Sequence, residues 1–215
     1  MTPWQRMFNA FASFVVCQFF FRVVGWRRVL GRHRVPKNGP VLFAANHMSY
    51  LDPPLVGGCS PRRLRPMAKA ELFEKPFMNW LMHGLGVFPV RRGSGDREAI
   101  KFALECLERG ECIMLFPEGT RGPGDGHLLP FQSGVAMLAR RTGCVVVPVG
   151  ISGTQRVLPK GGGFRWGRIG LCFGEPMRYE DFGPDFTAEL ARRISACTAE
   201  LGAPQLPAEI PAVQD

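Results

Sequence analysis

Four short apolar runs constrain the fold of this chain more than any other feature. Each is five residues long and does not alternate with polar residues: 41–45, 112–116, 145–149 and 169–173. A strand that is apolar on both sides is buried on both faces of its sheet, which is typical of parallel sheets covered by helices. Because helical patterns lie between the runs, the sequence predicts an α/β fold with a largely parallel or mixed sheet flanked by helices.

Apolar spacing and end signals predict the helices. The clearest helix begins at Ser94 or Asp96 and stops at Gly110, and four apolar residues share one of its faces: Ile100, Ala103, Leu104 and Leu107. Further helices are predicted at 53–59, 76–85, 132–141 and 187–201, and two more strands at 64–69 and 86–92.

The chain length of 215 residues suits one well-cored domain. Residues 35–202 contain every predicted strand, so we assign the α/β domain to them. Beyond Gly202 the helical periodicity ends and three prolines follow, which predicts a flexible tail at 203–215.

Residues 1–34 are rich in phenylalanine and valine and differ from the rest of the chain. Their best apolar stretch, 7–21, would extend roughly 22 Å as a helix, against about 30 Å of bilayer hydrocarbon. Trp4 and Trp26 flank this stretch beside arginines, a pattern typical of the membrane interface. We predict a helical membrane-docking segment that embeds in one leaflet. A core helix and a transmembrane span are the alternatives, and a signal peptide is disfavoured because no small-residue cleavage site follows.

Basic residues are concentrated near the N-terminus. Residues 1–51 hold seven lysines and arginines and no acid, while the whole chain has a net charge of +9. Such a segment favours an anionic surface, either a membrane or a nucleic acid. The run of phenylalanines from Phe8 to Phe21 suits lipid better, and no nucleic-acid-binding signature is present. We therefore expect a phospholipid bilayer as partner and no nucleic acid.

The seven cysteines are scattered, and neither a Cys-x-x-Cys nor a His-x-His motif occurs. This pattern favours buried free thiols in a reducing compartment over a disulfide framework. We expect no metal site.

The most informative polar residues follow the first apolar run. His47 stands at its end, and Asp52 comes five residues later with Pro53 and Pro54 stiffening the turn behind it. A neutral imidazole can accept a proton near neutral pH, and a carboxylate on its far nitrogen fixes its tautomer. Alone, the pair is also compatible with a structural histidine and an aspartate that caps a helix.

Other predicted strand ends also carry charged residues. Arg91 and Arg92 end the predicted strand 86–92, and Glu118 and Arg121 follow the run 112–116. Ligands of open α/β sheets bind outside the carboxyl ends of the strands, so we expect these groups to converge. A base, a carboxylate and arginines together indicate a site that deprotonates a hydroxyl on a phosphate-bearing molecule.

Four sequence blocks resemble those of glycerolipid acyltransferases of the PlsC type, the 1-acylglycerol-3-phosphate acyltransferases. They occur in the family's order: Asn-His-x4-Asp at 46–52, a glycine-to-arginine block at 86–92, Phe-Pro-Glu-Gly-Thr-Arg at 116–121 and Val-Pro-Val at 147–149. Two positions depart from the family pattern, since Pro89 replaces an aromatic or aliphatic residue and Gly122 replaces a serine.

The resemblance implies roles for individual residues. His47 would be the catalytic base and Asp52 its partner. The acceptor would be held by six residues, with Arg121 and Lys69 on its phosphate: Lys69, Arg92, Glu118, Gly119, Thr120 and Arg121. The histidines at 33, 83 and 127 lack a partner pattern, and we expect them to be non-catalytic.

The implied activity is transfer of a fatty acyl group from acyl-CoA or acyl carrier protein to lysophosphatidic acid, giving phosphatidic acid. No Gly-x-Ser-x-Gly elbow occurs, so we expect direct transfer without an acyl-enzyme and with no cofactor besides the acyl donor. We expect a peripheral or monotopic protein on the cytoplasmic face of the cell membrane. The alternatives are another lysolipid acceptor, such as lyso-ornithine lipid, and a non-enzymatic membrane-binding module.

Overall fold

The computed structural model describes residues 2–15, 27–74, 76, 79, 87–90, 95–123 and 127–202. Its described strands form a six-stranded sheet in the order β1-β8-β7-β2-β6-β3 and a two-stranded sheet of β4 and β5. The strands are β1 Arg27–Leu30, β2 Val41–Ala45, β3 Leu64–Arg65, β4 Met67–Lys69, β5 Phe88–Val90, β6 Cys112–Leu115, β7 Val145–Ser152 and β8 Ile169–Phe173. All pairings between these strands are parallel except that of β7 with β8.

Six α-helices lie among the described residues, and short 3-10 helices occur at 32–34, 70–73, 179–181 and 183–185. The α-helices are α1 Pro3–Phe14, α2 Asp52–Cys59, α3 Gly95–Glu108, α4 Gly134–Thr142, α5 Thr154–Val157 and α6 Phe186–Glu200. Within the described ranges, no helix is both long enough and apolar enough to cross a bilayer.

The core occupies both faces of the large sheet. All five residues of β2 are buried, and their side chains alternate between two apolar clusters. Phe43 belongs to the cluster beneath α2, whereas Leu42 and Ala44 pack in the cluster with α3, α4 and α6. Burial on both faces explains why β2 is a continuous apolar run.

The predicted α/β fold with a mixed, mainly parallel sheet is confirmed, and two strands differ from the sequence prediction. The predicted strand 64–69 is divided at Pro66, so that β3 pairs with β6 while β4 pairs with β5. Proline has no backbone N–H for a strand ladder, which accounts for the break. β1 lies inside the segment 1–34 that the sequence predicts as helical, so the sheet begins before residue 35.

The parallel strands bring two chain segments to one edge of the sheet. β2 and β6 are adjacent and parallel, so the residues after Ala45 and after Leu115 emerge side by side. This is where the His-x4-Asp and Phe-Pro-Glu-Gly-Thr-Arg blocks stand. The tail 203–215 and nearly all of the predicted helix 76–85 lie outside the described residues.

Candidate active site

The turn after β2 brings His47 and Asp52 into direct contact. His47 Nδ1 lies 2.9 Å from Asp52 Oδ2. The same oxygen accepts hydrogen bonds from the backbone N–H of Met48 at 2.6 Å and of Ser49 at 2.7 Å. The Asp52 side chain is fully buried, whereas that of His47 is 16% exposed. The aspartate therefore holds the turn and the imidazole together, and the imidazole keeps access to solvent.

This contact determines which ring nitrogen is available for chemistry. A carboxylate oxygen only accepts hydrogen bonds, so Asp52 favours the tautomer with the proton on Nδ1 and leaves Nε2 as the acceptor. The other oxygen, Asp52 Oδ1, is buried and has no hydrogen-bond partner among the residues that the structure describes. The pair thus has the arrangement of a general base with an orienting carboxylate.

Glu118 connects the loop after β6 to the histidine. Its Oε1 accepts the backbone N–H of His47 at 2.8 Å, and its Oε2 accepts that of Leu129 at 3.0 Å. The His47 carbonyl in turn accepts the N–H of Gly122 at 2.8 Å. Glu118 is 4% exposed and both of its oxygens bind the protein's own backbone. Its predicted contact with an acceptor stays a prediction.

The environment of Glu118 alters its titration. Burial raises the pKa of Glu118 to about 7 from 4.5, although the N–H groups of Leu129 and His47 act in the opposite direction. Negative charge on Asp52 also raises this pKa. Below neutral pH the carboxyl beside the histidine therefore holds a proton.

This raised pKa predicts a pH dependence of stability. Unfolded Glu118 loses its proton near pH 4.5, whereas the folded form keeps it to about pH 7. The stabilisation that protonated Glu118 gives to the folded state is thus fully present below pH 4.5. It is lost as the pH rises through 7, which lowers the free energy of unfolding by about 3 kcal/mol. Urea unfolding measures the free energy of unfolding of the wild type and of Glu118→Gln at each pH in this range. The difference between the two proteins should change with pH, because glutamine does not titrate. Parallel curves would contradict the raised pKa.

The other residues of the block 118–121 lie beside the same turn. The guanidinium of Arg121 stacks over the ring of Tyr50 at 3.8 Å, which brings it to the segment that contains His47 and Asp52. Gly119 has a φ of +65°, which favours glycine, and Thr120 is exposed. The structure thus brings four of the predicted site residues around one turn: His47, Asp52, Glu118 and Arg121.

Lys69 and Arg92 belong to the small second sheet. Lys69 ends β4 and pairs in register with Val90 of the parallel strand β5, so the chain after each strand continues at the same end. Arg92 and the side chain of Lys69 lie outside the described residues. Their predicted phosphate and acceptor contacts stay predictions.

Three further residues, to which no role is assigned above, support the site. Phe116 stacks on the imidazole of His47 with ring centroids 4.0 Å apart. The buried Asn46 side chain accepts the Ile151 N–H at 2.7 Å and donates to the Ile151 carbonyl at 3.1 Å, which fixes the end of β2 to β7. A buried amide directly after an apolar strand needs such partners, and this is the signal that could have identified Asn46. Tyr50 carried no comparable signal.

One group of potential metal ligands lies elsewhere in the described part of the chain. Donor atoms of Cys172, Cys197 and Glu200 come within 4.8 Å of one another. They belong to β8 and α6, which carry none of the predicted site residues. The guanidinium of Arg34 pairs with Glu200 at 3.3 Å, so a cation there would compete with an arginine. The six cysteines in the described ranges are free and buried.

More than half of the chain matches the model of a known protein family. The family model described as Acyltransferase matches residues 27–152, which include His47, Asp52 and the block 118–121. The chain belongs to the Acyltransferase family. The matched region extends from β1 to the end of β7 and thus contains both strands that carry the site.

A solved structure shares the fold of this acyltransferase-family protein. It is the 1-acyl-sn-glycerophosphate acyltransferase PlsC from Thermotoga maritima, with a TM-score of 0.72 and 30% sequence identity. The similarity covers 93% of this chain and 80% of the Thermotoga chain.

Two relatives from Pseudomonas aeruginosa carry different names. The 1-acyl-sn-glycerol-3-phosphate acyltransferase is 31% identical, over 90% of this acyltransferase-family chain and 78% of the relative. The lyso-ornithine lipid O-acyltransferase is 40% identical, but over 53% of this chain and 43% of the relative. The chain spans 39% to 50% of the length of that relative and of two plant relatives.

Proposed function

We propose that this protein transfers a fatty acyl group to the free hydroxyl of 1-acylglycerol-3-phosphate and so makes phosphatidic acid for phospholipid biosynthesis. The observation that carries the proposal is the contact of His47 Nδ1 with the buried Asp52 at 2.9 Å. The names of the Thermotoga and Pseudomonas relatives support lysophosphatidic acid as the acceptor.

In this mechanism His47 acts as a general base. Its Nε2 takes the proton from the acceptor hydroxyl, and Asp52 stabilises the imidazolium that forms. The resulting alkoxide attacks the thioester carbonyl, and the tetrahedral intermediate collapses with cleavage of the carbon–sulfur bond. The departing thiolate takes the proton back from Nε2. Atoms and charge balance without a covalent acyl-enzyme.

The acyl donor is a thioester, either acyl-CoA or acyl carrier protein, and the reaction uses no further cofactor. Backbone N–H groups of the loops after β2 and β6 are the candidates for stabilising the oxyanion. Direct transfer predicts sequential kinetics, in which both substrates are bound before either product leaves.

Arg121 is the residue that we assign to the acceptor phosphate. Arg121→Ala should raise the KM for lysophosphatidic acid roughly tenfold to 100-fold, because a hydrogen-bonded charge pair is lost. The KM for the thioester and the KM for an uncharged acylglycerol serve as internal controls and should change little. An unchanged KM for the phosphorylated acceptor would remove this role.

A second candidate acceptor is lyso-ornithine lipid, which is favoured by the 40% identity to the Pseudomonas enzyme of that name. An acceptor panel with purified protein and labelled acyl-CoA separates the two. Among the acceptors of the panel, we expect lysophosphatidic acid to give the highest kcat/KM. Preference for the ornithine lipid would establish the second candidate, and absence of transfer to any lysolipid would reject both.

We further propose that the protein works on the cytoplasmic face of the membrane as a peripheral or monotopic protein. Four exposed apolar side chains of the N-terminal segment support contact with the membrane: Trp4, Met7, Phe11 and Val15. Their spacing places them on one face of the helical segment, as an interfacial helix requires.

A further inference from the structure

The loop between α5 and β8, residues 158–168, presents aromatic surface to solvent. Trp166 is 71% exposed and Phe164 46% exposed. Their rings meet edge to face with centroids 6.3 Å apart, so the two residues form one exposed apolar unit. Exposed aromatic rings that contact each other in this way are candidates for contact with a partner or a membrane.

The same loop and its flanks are strongly basic. Arg156, Lys160, Arg165 and Arg168 are all exposed. The acid-free region around them is long, since no aspartate or glutamate occurs from residue 126 to residue 174. The local charge is therefore complementary to an anionic surface.

The loop also lies against the candidate active site. The Leu158 carbonyl accepts a hydrogen bond from Ser49 Oγ at 2.8 Å, which ties the loop to the His47 turn. An open cleft of about 480 Å³ is lined by residues of both, with Met48 and Gly122 from the site loops and Lys160 and Trp166 from the 158–168 loop. Whatever the loop binds is thereby held beside the turn that follows β2.

We propose that the 158–168 loop is a membrane-docking element, separate from the N-terminal segment, that seats the open side of this cleft on an anionic bilayer. Trp166 and Phe164 lie at the level of the lipid headgroups, and the basic side chains contact lipid phosphates. Tryptophan beside basic residues is the pattern of membrane interfaces. This docking would aid catalysis only if the proposed function holds, because only an acceptor that lies in the bilayer requires the cleft to face the membrane.

A planar surface fits the residues better than a small phosphorylated ligand such as the nucleotide of acyl-CoA. Phe164 and Arg168 do not line the cleft, so aromatic and basic surface extend beyond it. α1 contacts α2, the helix that begins at Asp52, and thus offers a second membrane contact near the same turn. Two separate contacts restrict the orientation of the protein on a bilayer, which one contact alone does not.

Two double variants of the full-length protein test the loop. Lys160→Glu with Arg165→Glu reverses its charge, and Phe164→Ala with Trp166→Ala removes its aromatic surface. The matched control is Arg140→Glu with Arg141→Glu, which makes the same charge change on exposed residues in the last turn of α4. That turn precedes the start of β7 and so lies at the opposite edge of the sheet.

Co-sedimentation with vesicles of phosphatidylglycerol and phosphatidylcholine measures docking directly. The affinity of both loop variants for these vesicles should be at least about tenfold lower than that of the wild type. Added salt should reduce the difference in affinity between the charge variant and the wild type. The control should stay within about twofold of the wild type, since its charges lie far from the bilayer. Unchanged binding by both loop variants, or an equal loss in the control, would overturn the proposal.

Kinetics separate docking from donor binding. The ratio of the rate with vesicle-borne lysophosphatidic acid to the rate with a short-chain, water-soluble analogue should fall about tenfold in the loop variants. A raised KM for acyl-CoA with an unchanged ratio would instead make the loop a donor site. Absence of all acyl transfer in the wild type would reject the proposed function, and the vesicle result would still decide the docking proposal.

Discussion

Replacing His47 with alanine is expected to lower kcat roughly 10²- to 10⁴-fold while the protein remains folded. The loss follows from the geometry, because Asp52 occupies Nδ1 and leaves Nε2 as the nitrogen that can take the hydroxyl proton. Binding of lysophosphatidic acid should persist, since Arg121 and the Glu118 loop are unchanged. Steady-state kinetics with labelled acyl-CoA measure the effect.

The control for this variant is His127→Ala, which removes an exposed histidine that we expect to be non-catalytic. Alanine at 47 keeps the backbone N–H and carbonyl that bind Glu118 and Gly122. A cooperative thermal transition near that of the wild type would show that the turn survives. A His47→Ala enzyme with a near wild-type rate would contradict the assignment of the base.

The parts of the fold that the sequence predicted are those with a strong local signal. β2 and β8 were placed to the residue, because burial on both faces makes such strands continuous apolar runs. β1 was missed, since Arg27 and Arg28 occupy half of this four-residue edge strand. Its position depends on parallel pairing with β8, about 140 residues away in the chain, which no local pattern encodes.

The site also combines contacts that a local sequence signal predicts with contacts that depend on distant parts of the chain. His47 and Asp52 are five residues apart, so a stiff turn was enough to predict their contact. Glu118 lies 71 residues from His47, and the sequence predicted only that both would reach one edge of the sheet. That Glu118 binds the backbone of His47 depends on how two loops fold together after β2 and β6. The 158–168 loop has no periodicity, so its position beside the cleft emerged only in three dimensions.

Substitutions of Asp52 are expected to separate two contributions that this side chain makes. In Asp52→Ala the N–H groups of Met48 and Ser49 lose their acceptor in a buried turn, at a cost of about 1–3 kcal/mol for each. The imidazole also loses its orienting partner, so kcat should fall nearly as far as in His47→Ala. Urea unfolding and steady-state kinetics measure the two losses.

Asp52→Asn retains the hydrogen bonds of the turn and removes the charge, and it also places an amide N–H₂ at the buried position of Oδ1, which has no hydrogen-bond partner among the described residues. Three donors converge on Oδ2, so the asparagine oxygen occupies that position and the amide nitrogen takes the place of Oδ1. The Nδ1–H tautomer of His47 is thereby kept, and the variant loses a charge-assisted hydrogen bond to the imidazolium, which lowers kcat roughly 10- to 100-fold. The double variant His47→Ala with Asp52→Asn should be no slower than His47→Ala alone, because Asp52 acts through the imidazole. Additive losses would show that Asp52 contributes by another route.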